Sequence, residues 1–145
     1  LSLLQSPMLM LMPAADCAVR RSVLAGDPAS ADFDWSGIPF IVPERGVTKG
    51  LFDQWMARRS AQPRIYAQVA GHEAIVAMVG LGLGVGIAPE LVVRASGMAE
   101  RVTPIAVWEP LPALDIGLCS LQSRLEDPRV KALREVAQQT TQQRL

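Results

Sequence analysis

An excess of charge of either sign is missing from this chain: 14 Lys+Arg are matched by 14 Asp+Glu in 145 residues. A surface that reads nucleic acid shows clustered basic excess, so DNA reading by these residues is excluded. Histidine occurs once, at His72, and cysteine twice, at Cys17 and Cys119. The cysteines are too far apart for a metal or redox spacing, and a lone histidine assembles no nucleophile–base set. No enzyme activity, cofactor or metal is therefore expected. No apolar run approaches the roughly 20 residues needed to cross a bilayer. The start, LSLLQSPMLMLMPAADCA, resembles a signal peptide only superficially, since it has no basic n-region and Gln5, Ser6 and Pro7 interrupt it. A reduced, cytoplasmic setting is expected, with Cys119 a buried thiol inside the apolar run 116–121.

What the chain does have is an α/β pattern, and half its residues are hydrophobic, enough for one domain's core. In residues 65–94, Ile65, Ala67 and Val69 alternate with polar neighbours as a strand would. Gly71 then opens a helix with apolar positions Ile75, Met78, Val79 and Leu81, ended by Gly80, Gly82 and Gly84. Residues 85–88 read as a buried strand, and Pro89 with Glu90 as the first turn of another helix. Because the glycines end a helix rather than open one, and Val85 and Ile87 occupy the third glycine positions, a dinucleotide fingerprint is excluded.

Elsewhere, residues 8–12 are apolar on both faces, which places a strand inside a covered sheet. Residues 17–24 predict a short helix, 26–37 a connection and 38–42 a strand stopped by Pro43. A helix follows with Leu51, Phe52, Trp55 and Met56 on its apolar face and Arg58 and Arg59 in its last turn. Residues 102–107 and 114–121 predict strands around the loop 109–112. After Pro128 a helix carries Val130, Leu133, Val136 and Ala137 and frays into a glutamine-rich tail from Gln138. Trp35, Trp55 and Trp108 form no stripe, Trp55 reading as core. Arg20–Arg21 and Arg58–Arg59 are too short for basic patches and read as solvated faces. Strands alternating with helices predict an α/β fold with a mostly parallel sheet.

The segment VAMVGLGLGVGIAPE, preceded by polar residues and followed by an apolar helix, resembles the effector-binding domain of LysR-type transcriptional regulators. Residues 38–46, 65–93 and 116–128 are most similar to the IlvY branch, which regulates branched-chain amino-acid synthesis. The resemblance spans residues 8–136. It implies a type 2 periplasmic-binding-protein-like fold of two lobes joined by two crossing strands. Residues 8–12 and 114–121 are then the crossing strands, 13–112 a near-complete second lobe, and 1–7 with 122–145 remnants of the first. It also implies that the winged helix-turn-helix, its linker helix and the start of the effector domain are missing from these residues, which begin at Leu1 rather than Met. DNA would be a partner only through that N-terminal domain. The protein would be a homo-oligomeric activator answering to a small molecule, with acetolactate or acetohydroxybutyrate as effector.

Candidate site residues follow from two loops. Gly71, His72 and Glu73 stand at a helix start, where free N–H groups favour an anion. Glu73 could occupy those donors itself, so side-chain capping and ligand binding are equally open from the residues alone. Pro43, Glu44, Arg45, Gly46, Val47 and Thr48 form a polar loop after a buried strand, either a solvated connection or a wall offering Arg45 to a carboxylate. The resemblance implies that both loops contact the effector. Two other functions stay in view beside the sensing module. One is a transport solute-binding protein, disfavoured by the missing export signal; the other is a small α/β enzyme, disfavoured by the missing catalytic set.

Overall fold

The computed structural model describes residues 1–59 and 62–142. In chain order the elements are β1 (Ser2–Ser6), β2 (Met8–Pro13), α1 (Ala18–Leu24), β3 (Pro39–Pro43), α2 (Val47–Ala57), β4 (Arg64–Val69), α3 (His72–Gly80), β5 (Val85–Pro89), α4 (Glu90–Ala95), β6 (Val102–Ile105), β7 (Leu114–Gly117) and α5 (Pro128–Gln142). They fall into two compact units: Pro7–Pro112, and Leu1–Ser6 with the residues from Ala113 onward.

The larger unit holds a five-stranded sheet in the order β4-β3-β5-β2-β6. β3 runs parallel to β4 and β5, while β2 is antiparallel to both β5 and β6. The sheet is mixed, where a mostly parallel one was predicted. A run of methionine and leucine encodes burial but not direction, so the sequence pattern did not reveal how β2 enters. Its two-faced burial is as predicted, with only Leu9 partly exposed. Leu9 and Leu11 lie opposite Ala88 and Gly86 on one face, and Met8 and Met10 opposite Pro89 and Ile87 on the other.

On the first face, Ile75, Val76 and Val79 of α3 pack fully buried against Leu11, Ile41 and Ala88. Each such side chain contributes about 1.5–3 kcal/mol by leaving water. Gly86 lets α3 come this close: a Cβ there would stand 2.5 Å from Ile75 Cγ2 and 3.0 Å from Val79 Cγ2. α3 ends in a paired-bond cap, with Leu83 N–H donating to the Met78 carbonyl at 3.2 Å and Gly82 N–H to that of Val79 at 2.9 Å. Gly82 carries the positive φ of 83° that this cap needs. Leu81, expected on the apolar face, is 65% exposed because it lies one residue past the helix; Val76 is buried instead.

The second face is aromatic. Trp35 and Trp55 meet edge-on with centroids 5.4 Å apart, and Trp35 also packs on Phe33 and Phe40, which in turn contacts Phe52. The predicted scatter of the tryptophans therefore holds only for the exposed Trp108. The loop before β3 folds Trp35 back under α2, a path that no periodicity records. Arg59 is not a solvated cation either: its guanidinium lies 3.5 Å from the Trp55 ring centroid and donates to the carbonyls of Trp55 and Trp108. Arg20 likewise turns inward to donate to the Pro13 carbonyl at 2.9 Å, whereas Arg21 is exposed, paired with Asp16.

In the smaller unit β1 pairs with β7 antiparallel, Ser6 opposite Leu114 and Ser2 opposite Gly117. β7 stops at Gly117, short of the predicted residue 121, so the remainder of that apolar run lies outside any strand and Cys119 is exposed rather than buried. α5 continues through Gln142 instead of fraying at Gln138, as glutamine's good helix propensity permits; residues 143–145 of the predicted tail lie outside the described residues. Leu133 and Val136 on α5 are more than half exposed. β2 lies in the larger unit and β7 in the smaller. Pairing with both β5 and β6 ties β2 into the larger sheet.

Overpacking a filled interface costs about 1–3 kcal/mol. Gly86→Ala should therefore lower the unfolding free energy by that amount in urea titrations. Gly37→Ala, whose Cβ would meet nothing within 4 Å, should change it by less than about 0.5 kcal/mol.

Candidate functional site

The parallel pairing of β3 with β4 sets Pro43 opposite Val69, so the two strands end side by side. Glu44 N–H donates to the Val69 carbonyl at 3.0 Å, extending the ladder one step beyond. Each strand then turns into a helix: β3 into α2 through Gly46, and β4 into α3 through Gly71. Both glycines are N-caps with positive φ, 92° and 86°, a backbone that a side chain would strain. Lacking side chains, they leave the first-turn N–H groups of both helices without a capping oxygen of their own. Two positive helix ends thus open at the carboxyl edge of adjacent parallel strands, where α/β sheets bind ligands.

Between these loops lies a pocket of about 420 Å³ lined by Pro43, Glu44, Arg45, Gly46, Val47, Thr48, Val69, Ala70, Gly71 and His72. Its volume is in the range that holds small molecules. The pocket brings together eight of the nine candidate residues. Glu73 is not in its lining; its carboxylate folds back to within 3.4 Å of where a Gly71 Cβ would stand. Sequence reasoning missed Val69 and Ala70. The signal was available, since a strand that runs into a glycine-opened helix contributes its last residues to the same edge.

The polar groups in the lining have distinct environments. Thr48 is buried, and its Oγ1 lies 3.0 Å from His72 Nε2, linking the first turns of α2 and α3. Burial holds His72 below its ordinary value near 6.5, with Glu73 opposing weakly, so the ring is neutral at pH 7. Arg45 is largely exposed and lies 3.5 Å from Glu44, a surface pair of small energy. Among the described residues no group of His, Cys, Asp and Glu could hold a metal ion, and no helix is long and apolar enough to cross a membrane.

This mixed sheet with helices on both faces is the type 2 periplasmic-binding-protein-like fold of regulator effector domains. The effector binding domain of QuiR in complex with shikimate superposes with a TM-score of 0.71 at 20% identity, covering 99% of this chain and 65% of that one. The effector domain of AmpR from Pseudomonas aeruginosa gives 0.66 at 18% identity, covering 97% and 64%. In sequence, the HTH-type transcriptional activator IlvY of Haemophilus influenzae is 38% identical over 100 residues, covering 68% of this chain and 34% of its own. The HTH-type transcriptional regulator IlvY of Escherichia coli K12 is 35% identical over 126 residues, covering 85% of this chain and 41% of its own. The chain thus spans well under half the length of these curated relatives. The family described as LysR substrate binding domain matches residues 3–142, and the chain belongs to it.

His72 also makes ligand-free stability depend on pH. Its folded value is depressed, so the folded protein binds fewer protons than the unfolded chain. That contribution is complete above the unfolded value of about 6.5 and is lost as pH falls through the folded one. Thermal melting should show wild type losing stability below about pH 6.5 more steeply than His72→Gln. Parallel profiles would remove the histidine as the source.

Proposed function

We propose that this chain is the effector-sensing part of a cytoplasmic LysR-type transcriptional activator that controls isoleucine and valine biosynthesis. Its effector is acetolactate or acetohydroxybutyrate, small hydroxy-keto acids. The observation carrying the reading is the pocket at the ends of β3 and β4, where two glycine-capped helix starts, Thr48, His72 and Arg45 surround a space of small-molecule size. An acid suits it, since uncapped helix N-termini favour an anion. The relatives' IlvY name supports the metabolic assignment. We also assign residues 13–112 as the second lobe of the effector domain. DNA contact belongs to sequence outside these residues, whose charges cancel, and the intact protein acts as a homo-oligomer.

Losing a charge-assisted hydrogen bond costs about 1.5–3 kcal/mol, roughly a tenfold to hundredfold loss of affinity. In the intact protein, His72→Ala should weaken acetolactate binding by that order while operator affinity without effector stays unchanged. Arg45→Ala should cost less, about a few-fold, because its exposed charge is screened. Calorimetric titration reads both. Equal affinities in wild type and the two variants would take these side chains out of the site.

A further inference from the structure

The hydrogen bond between His72 Nε2 and Thr48 Oγ1 joins the pocket's titratable ring to its buried hydroxyl at 3.0 Å. What it offers a ligand depends on one proton. A neutral imidazole has one N–H and one bare nitrogen, and a hydroxyl has a single proton to give. With the ring proton on Nδ1, Nε2 accepts, and the Thr48 proton is used up on it. With the ring proton on Nε2, Thr48 accepts and its proton is released, but Nδ1 is bare. Either neutral form leaves one donor for a ligand. The imidazolium leaves two, Nδ1–H and the Thr48 hydroxyl, and adds a positive charge.

We propose that His72 and Thr48 together make the pocket selective for a carboxylate, whose binding is coupled to uptake of one proton by His72. This rests on the effector-pocket reading above. The charged groups about the ring are Glu73 on its own helix and, in the same pocket lining, Glu44 and Arg45 on the facing loop; Lys49, next to Thr48 on α2, is ion-paired with Asp53 at 2.6 Å. Glu44 and Arg45 pair with each other and leave little net field. Without ligand, burial holds the ring below its ordinary value, with Glu73 opposing. A carboxylate placed between the two helix starts reverses the balance, because an anion at hydrogen-bond distance favours the charged ring. The proton comes from solvent and returns to it when the ligand leaves. A neutral molecule of the same shape produces no such uptake.

The test is calorimetric titration of the intact protein with acetolactate, and with acetoin, its neutral decarboxylated analogue. It runs between about pH 6 and 8, where histidine changes charge and a carboxylate stays ionised. Wild type should bind acetolactate several-fold to about tenfold more tightly at the acid end, and its heat should vary with the buffer's ionisation enthalpy as proton uptake requires. His72→Gln and His72→Asn should bind acetolactate more weakly than wild type and show no gain toward pH 6. Thr48→Val should lose part of the gain and Thr48→Ser restore it. Acetoin should show no pH dependence. A wild-type profile that is flat, or that His72→Gln or acetoin reproduces, overturns the proposal while leaving the effector pocket standing. Thr48→Val behaving as wild type removes Thr48 from it. Failure of acetolactate to bind wild type at any pH overturns the effector reading and this inference with it.

Discussion

Parallel pairing of β3 with β4 is the constraint on which the rest of the site depends. Because the two strands run the same way and end in register at Pro43 and Val69, both chains must turn away at one edge of the sheet. Each does so through a glycine into a helix, and the helices begin side by side. Reversing either strand would put one helix start at the opposite edge and leave the other without its neighbour. The pocket is therefore a product of topology first and of side chains second. Thr48 and His72 meet because each stands within the first two residues of its helix.

The helices that carry the site are themselves held from the far end. α3 is fixed against the sheet by Ile75, Val76 and Val79, with Gly86 allowing the approach. α2 is fixed by Phe52 and Trp55 and by the cluster at its C-terminus. There Trp55 Nε1–H donates to the Glu109 carbonyl at 2.8 Å, and Glu109 adopts a positive φ of 54°. Arg59 covers the Trp55 ring and bonds the Trp108 carbonyl. A non-glycine residue in the left-handed region persists only where its surroundings over-determine it, and these contacts do so. The aromatic face thus fixes the direction of α2 and with it the position of Thr48.

Much of this was legible in the sequence, for reasons that can be named. Burial on both faces of β2, the glycine-ended helix entering a buried strand, and the helix start at Gly71 all leave periodic or positional marks. The two candidate loops stand out in the sequence because polar residues after a buried strand and before a helix have few other places to go. What left no mark was anything set by partners distant in the chain. The antiparallel direction of β2, the return of Trp35 under α2, and the inward turn of Arg20 and Arg59 depend on where loops travel. Cys119 was misjudged because an apolar run was read as a strand throughout, while β7 ends at Gly117. Val69 and Ala70 were overlooked because an apolar strand end looks structural until its neighbour's helix start stands beside it.

The electrostatics of the pocket follow from what cancels and what does not. Glu44 and Arg45 are adjacent and exposed, so water and salt screen both, and their pair contributes little to the field inside. The helix ends are fixed partial charges that no rotamer can move away, and the neutral ring of His72 adds none of its own. An anion approaching this edge therefore meets a modest, permanently positive surface rather than a strong point charge. Selectivity then has to come from groups that respond to the ligand after it arrives. In this pocket those are a buried hydroxyl and a half-buried imidazole that share one hydrogen bond.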